Sequence, residues 1–131
     1  MAKQILFVDD EADWLFMVAS YFKDFGLETL TARTGKEAFR ITSGVPLDVI
    51  IIDVNLAGEN GVHLMEFFKT NHPGVPIILY TGMVHDQEAI DGMLAQGAYQ
   101  YLRKGTLNDL LEAVQKAAIA KAKGIADKPA E

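Results

Sequence analysis

Cysteine is absent from the sequence, and with it go disulfides, thiolate metal sites and cysteine nucleophiles. Its absence fits a reducing compartment. No apolar stretch approaches the roughly 18 residues that span a bilayer. The start, Met1 to Gln4 and then a short apolar run ending in acids, has neither the length nor the flanks of a signal peptide. There is no basic run either. The 12 Lys and Arg face 18 Asp and Glu, a formal net charge of -6, so the cations needed for sequence-independent nucleic-acid binding are missing. An acidic domain of this kind attracts cations instead. Proline is scarce, at 4 residues in 131, while half of the residues are apolar and 23% are charged. Such a chain buries a core rather than staying disordered. The expectation is one soluble, cytoplasmic domain, with neither nucleic acid nor membrane among its partners.

What is present is organised by period. Short apolar runs recur at Gln4 to Val8, Leu27 to Thr31, Val49 to Ile52, Pro76 to Tyr80 and Ala98 to Leu102. The run from Asp48 to Asp53 is apolar without alternation between its two acids, as a strand buried on both faces of a parallel sheet requires. Between the runs lie helical spacings. Trp14, Val18, Tyr21, Phe22 and Phe25 recur at steps of three and four, and Gly26 stands where a left-handed cap stops a helix. Asn60 is placed to cap a helix carrying Leu64, Met65 and Phe68, with Pro73 beyond its end. Thr106 to Asp109 reads as a capping box ahead of Leu107, Leu111, Val114 and Ala118. Weaker helical patterns run from Lys36 to Ser43 and from Asp86 to Ala95, the second interrupted by Gly92. Strand and helix alternate five times, which predicts a doubly wound α/β fold with a parallel five-stranded sheet and helices on both faces. The folded domain is expected over 1–122, and 123–131, where periodicity fades, as a flexible C-terminal tail.

Ligands of such sheets bind beyond the carboxyl ends of the strands, where strand order reverses. The first run ends in Asp9 and Asp10, the third in Asp53 followed by Asn55, the fourth in Thr81-Gly82 and the fifth in Arg103-Lys104-Gly105. With strand order 2-1-3-4-5, Asp9, Asp10, Asp53 and Thr81 meet in one pocket. Clustered carboxylates persist only if a proton or cation compensates them. All-oxygen ligands favour Mg²⁺ or Mn²⁺, and Mg²⁺ on carboxylates commonly takes a phosphate oxygen as well. Lys104 adds a point charge and Thr81 a hydroxyl donor suited to phosphoryl oxygens, and central Asp53 is best placed as nucleophile.

The ordered set Val8-Asp9-Asp10-Glu11, Ile51-Ile52-Asp53-Val54-Asn55-Leu56, Asn60-Gly61, Tyr80-Thr81-Gly82, Gly97-Ala98 and Tyr101-Leu102-Arg103-Lys104 resembles a bacterial response-regulator receiver domain over roughly residues 3 to 122. The resemblance implies a flavodoxin-like (βα)5 sandwich. It implies that Asp53 accepts a phosphoryl group from a phosphohistidine on a sensor histidine kinase or phosphotransfer protein. Asp10, Asp53 and the Asn55 main-chain carbonyl would bind Mg²⁺ directly, with Asp9 acting largely through water. Lys104, Thr81 and the Gly82 amide would contact the phosphoryl oxygens. Tyr101 matches the switch aromatic, which turns inward with the threonine and alters a face built from the fourth helix, fifth strand and fifth helix for a downstream protein target. Two positions depart from the family's habit: Gly105 follows the lysine, and Ala57 stands four residues after the acceptor, both where Pro is usual.

The expected protein is thus a single-domain, monomeric or weakly dimeric regulator of a two-component or phosphorelay system. It catalyses its own phosphorylation and dephosphorylation rather than turning over a substrate. The alternatives are a phosphorylation-independent interaction module of the same fold and a Mg²⁺-dependent phosphohydrolase, since Asp53-Val54-Asn55 resembles the Asp-x-Asp nucleophile motif of the haloacid dehalogenase type. A flavodoxin-like FMN protein would need a phosphate-cradling loop where this chain has Asp9 and Asp10.

Overall fold

In a computed structural model, which describes residues 2–126 and 128–130, the five apolar runs form a parallel sheet. Its strands are β1 (Lys3–Val8), β2 (Leu27–Ala32), β3 (Val49–Asp53), β6 (Ile77–Thr81) and β7 (Gln100–Arg103), ordered β2-β1-β3-β6-β7. This is the doubly wound α/β fold expected, with the reversal of order between β1 and β3. Helices α1 (Ala12–Lys23) and α5 (Leu107–Ala122) cover one face. The other carries α2 (Gly35–Thr42), α3 (Gly61–Asn71) and α4 (Gln87–Ala95). β3 and β6 are buried along their whole length, which is why they show no polar alternation.

Side chains alternate between two cores. Ile5, Phe7, Val49, Ile51, Ile78 and Tyr80 face α1 and α5, packing with Val18, Phe22, Leu110 and Val114. Leu6, Val8, Ile50, Ile52 and Leu79 face the other helices, packing with Leu64, Met65, Phe68 and Met93. Continuing the alternation past the strand ends puts Asp9, Asp53 and Lys104 on the α1/α5 side. Register then fixes their neighbours: Asp53 lies beside Tyr80, Tyr80 beside Leu102, and Thr81 beside Arg103.

Caps follow the sequence closely. The Asn60 carboxamide oxygen accepts from the Val62 N–H at 2.8 Å, and the Thr106 hydroxyl accepts from the Asp109 N–H at 3.1 Å. Two features differ from expectation. Helix α1 stops at Lys23, so Phe25 leaves the buried stripe and lies 47% exposed against Tyr21 ahead of left-handed Gly26. A small antiparallel hairpin, β4 (Asn55–Leu56) with β5 (Glu59–Asn60), also rises directly after Asp53, turned by Gly58 at φ +73°. Beyond α5, the Ile125 N–H donates to the Ala120 carbonyl and the Ala130 N–H to the Tyr99 carbonyl, while Ala126 and Ala130 pack on the α1/α5 core. Asp127 and Glu131 of the expected tail lie outside the described residues. Among the described residues no helix is long and apolar enough to cross a membrane.

Candidate functional site

The chemistry-bearing residues converge at the carboxyl edge of the sheet. Asp9 follows β1, Asp53 ends β3 and Asp10 sits between Asp9 and α1. One oxygen from each of the three carboxylates lies within 4.8 Å of the others. Asp9 is fully buried and Asp53 is 4% exposed. The two are held by the same device: Asp9 Oδ1 accepts from the Glu11 N–H, and Asp53 Oδ1 from the Asn55 N–H, each at 2.9 Å. That leaves Oδ2 of both facing Lys104, whose Nζ stands 3.0 Å from Asp9 Oδ2 and 3.3 Å from Asp53 Oδ2. The approach to Asp9 is an ion pair without hydrogen-bond geometry, so Oδ2 keeps an unfilled acceptor site. Asp10 is braced from two sides, Oδ2 accepting from the Ala57 N–H at 3.2 Å and the main-chain carbonyl accepting from Arg33 at 3.0 and 3.2 Å. The Ala57 N–H is a donor that proline would lack.

Burial raises Asp9 and Asp53 above the ordinary carboxylate range, although their i+2 amides and Lys104 pull the other way. Burial works against the Lys104 charge too, but attraction from Asp9 and Asp53 outweighs it and holds this ammonium above its usual value. Three carboxylates against one ammonium leave two formal negative charges in the pocket. A hard divalent cation fits the donor set, since every ligand offered is a carboxylate oxygen and one of them, Asp9 Oδ2, is buried without a hydrogen bond. Because burial disfavours the Asp53 charge and Asp10 adds repulsion, Asp53→Asn should raise the unfolding free energy by about 1 kcal/mol at neutral pH. Urea melts of the two proteins check this, and an unchanged or lowered midpoint refutes it.

Thr81, 1% exposed at the end of β6, presents its hydroxyl oxygen to two donors, Asn55 Nδ2 and the Met83 N–H, each at 3.1 Å. The Met83 carbonyl in turn accepts from the Tyr101 hydroxyl at 3.4 Å, and His85 Nδ1 lies 2.9 Å from the same hydroxyl. Gly82 sits in the turn after Thr81, where a Cβ would be 3.6 Å from Lys104 Cδ. The Lys104 backbone is anchored despite Gly105, its N–H donating to the Thr81 carbonyl at 2.8 Å. All eight residues singled out from the sequence therefore lie on one rim: Asp9, Asp10, Asp53, Asn55, Thr81, Gly82 and Lys104 at the pocket, and Tyr101 linked to it through Met83. Sequence reasoning gave no role to Glu11, whose Oε1 is 3.2 Å from Lys104 Nζ, to Arg33, or to Tyr80 beneath the lysine. Adjacency to Asp10 and Thr81 is the signal the sequence carries for Glu11 and Tyr80.

A family model described as the response regulator receiver domain matches residues 5–115. The chain belongs to that family. It is 31% identical over 121 residues to the nitrogen assimilation regulatory protein NtrX of Azorhizobium caulinodans, an alignment covering 91% of this receiver and 26% of that protein. An NtrX-like response regulator of Rickettsia bellii is also 31% identical, and the receiver spans 24% of its length. Among solved structures, a CheY-like receiver domain protein from Methanospirillum hungatei superposes with a TM-score of 0.85 at 27% identity, covering 94% of this chain and 98% of that one. A receiver domain from Clostridium thermocellum gives 0.83 at 30% identity, covering 92% and 98%.

Proposed function

We infer that this receiver accepts a phosphoryl group on Asp53 from a phosphohistidine of a sensor kinase or phosphotransfer protein and passes the signal on by protein contact. The observation that carries the reading is the pairing of Lys104 Nζ with Oδ2 of both Asp9 and Asp53 inside a three-carboxylate cluster. Asp53 Oδ1 is engaged by the Asn55 amide, so Oδ2 is the attacking atom. It forms the bond to phosphorus as the phosphorus–nitrogen bond of the donor breaks, and the imidazole leaves with its electron pair. Lys104 neutralises one equatorial oxygen, the Gly82 amide donates to another, and the Thr81 hydroxyl donates to a third once it turns toward the pocket. Asp9, Asp10, Asp53 and the Asn55 carbonyl would hold Mg²⁺, which supplies Lewis-acid neutralisation of the phosphoryl charge.

The signal has a short route outward. For Thr81 to turn toward a phosphoryl oxygen it must give up Asn55 Nδ2 and the Met83 N–H, and the Met83 carbonyl is the group that receives the Tyr101 hydroxyl. Loss of the first pair loosens the second, so the hold on Tyr101, whose ring already packs against the core beneath α2, α3 and α4, changes, and with it the face of α4, β7 and α5 that a downstream protein would read. The receiver thus catalyses its own modification and is not a turnover enzyme. Intact mass after incubation with acetyl phosphate tests this: one phosphoryl group should be gained with Mg²⁺, and none without it or in Asp53→Asn. An unmodified wild type, or a mutant modified equally, removes the assignment and leaves the phosphorylation-independent module. Continuous release of phosphate from small esters would instead favour the hydrolase.

A further inference from the structure

We propose that Tyr80 is a positioning residue for Lys104, its ring acting as the floor over which the lysine crosses to reach Asp53. The proposal deepens the phosphoryl-acceptor reading and rests on it for its consequence, though the positioning itself can be observed without phosphoryl chemistry.

The strand order makes a floor necessary. Lys104 leaves the end of β7 and Asp53 ends β3, and β6 lies between those strands, so the lysine side chain must pass over the end of β6. The residue beneath that path is fixed by register: Tyr80 pairs with Asp53 on one side and with Leu102, two residues before Lys104, on the other. All four lie on the α1/α5 side of the sheet, and Lys104 Nζ stands 5.2 Å from the Tyr80 ring centroid, inside the range of a cation–π contact. The ring is itself immobilised. Tyr80 is 1% exposed, lies parallel to Trp14 with an interplanar angle of 9°, and meets Phe7 edge-on at 5.5 Å. Its hydroxyl has no hydrogen-bond partner among the described residues, so a hydrogen bond is not what holds this side chain at the site.

The magnitudes assign the task. Three carboxylates within 3.3 Å supply most of the attraction on Lys104, but they do not all pull inward, since the Glu11 side chain is 66% exposed and draws the ammonium toward solvent. The Lys104 backbone is anchored through its N–H to the Thr81 carbonyl, but that bond does not direct the four-carbon side chain. A flat, rigid, electron-rich surface beneath the ammonium favours the inward position over Asp53 and costs no side-chain ordering when the phosphoryl group arrives.

The test uses the full chain, wild type, Tyr80→Phe and Tyr80→Met, Met being an unbranched side chain that fills irregular space. Carbon–proton NMR of the Lys104 ε-methylene, assigned with Lys104→Met and recorded without phosphodonor or Mg²⁺, should show an upfield ring-current shift in wild type and Tyr80→Phe that is lost in Tyr80→Met. With acetyl phosphate and saturating Mg²⁺, Tyr80→Met should be modified about fivefold more slowly, with Tyr80→Phe within about twofold of wild type. Absence of the ring-current shift in wild type overturns the proposal with no variant needed. So does a Phe variant as slow as the Met variant, because the ring face would then not be the operative feature. If wild type shows the shift yet gains no phosphoryl group, the acceptor reading fails while the positioning stands.

Discussion

Lys104→Met is expected to lower the unfolding free energy by about 3 kcal/mol at neutral pH, and the deficit should shrink on acidification. Asp9 is fully buried and Asp53 nearly so, and the ammonium is 3.0 and 3.3 Å from their facing oxygens. Even with that lysine present, burial holds both carboxyls above the ordinary range. Removing it takes away the attraction that opposes burial and drives them higher. The sign follows from proton counting. A carboxyl raised in the folded state binds protons more tightly folded than unfolded, so stability falls as pH rises from the ordinary carboxylate value through the raised one. In the variant that window extends further upward. The difference from wild type is therefore largest above the window, where both groups must ionise without a counter-charge, and smallest below it, where both states are protonated. Melts at neutral pH and near pH 4 check this; equal deficits at both would assign the loss to packing of the lysine stem. Phosphorylation by acetyl phosphate should fall about 100-fold, the usual effect of deleting one charge-stabilising donor.

The pocket was legible because each of its members ends an apolar run. Asp9, Asp53, Thr81 and Lys104 all lie at or just past the carboxyl end of a strand, and strand ends are what period and composition locate best. The hairpin of Asn55–Leu56 and Glu59–Asn60 is not legible in the sequence, because two residues per strand carry no period. Phe25 departs from its pattern for a related reason: its spacing continues the α1 stripe, but the helix unwinds one residue earlier, at Asp24. Contacts across strands were illegible in another sense. That Lys104 lies over Tyr80, or that Arg33 grips the Asp10 carbonyl, depends on register and on neighbours remote in sequence, which no local pattern encodes. His85 is the same case. Its ring is 2.9 Å from the Tyr101 hydroxyl, a partner 16 residues away.

Gly61 shows how a residue legible as one thing proves to be two. In sequence, Asn60-Gly61 reads as a cap and the first turn of a helix, and at such a position alanine is the better helix former by about 1 kcal/mol. In the structure a Cβ on Gly61 would press into the Asp53 carbonyl oxygen and lie 2.9 Å from both the Asp53 carbonyl carbon and Val54 Cα. These are backbone atoms of the central strand's end, so no rotamer change relieves the clash. The Gly61 N–H also donates to the Val54 carbonyl at 3.0 Å, locking the start of α3 to the peptide that follows Asp53. Overpacking therefore outweighs helix propensity, and Gly61→Ala should cost about 2 kcal/mol net. Because the strain falls on the segment that carries the Asp53 carboxylate and the Asn55 amide, phosphorylation should slow by about 100-fold, as for a misplacement near 1 Å. Gly92→Ala in α4 is the matched control. A Cβ there meets nothing within 4 Å, so the same substitution should stabilise by about 0.8 kcal/mol and leave the rate unchanged. Urea melts and acetyl phosphate time courses on the two variants check the pair. Stabilisation by both would mean that α3 slides away from Asp53 at little cost, and that Gly61 serves only to start a helix.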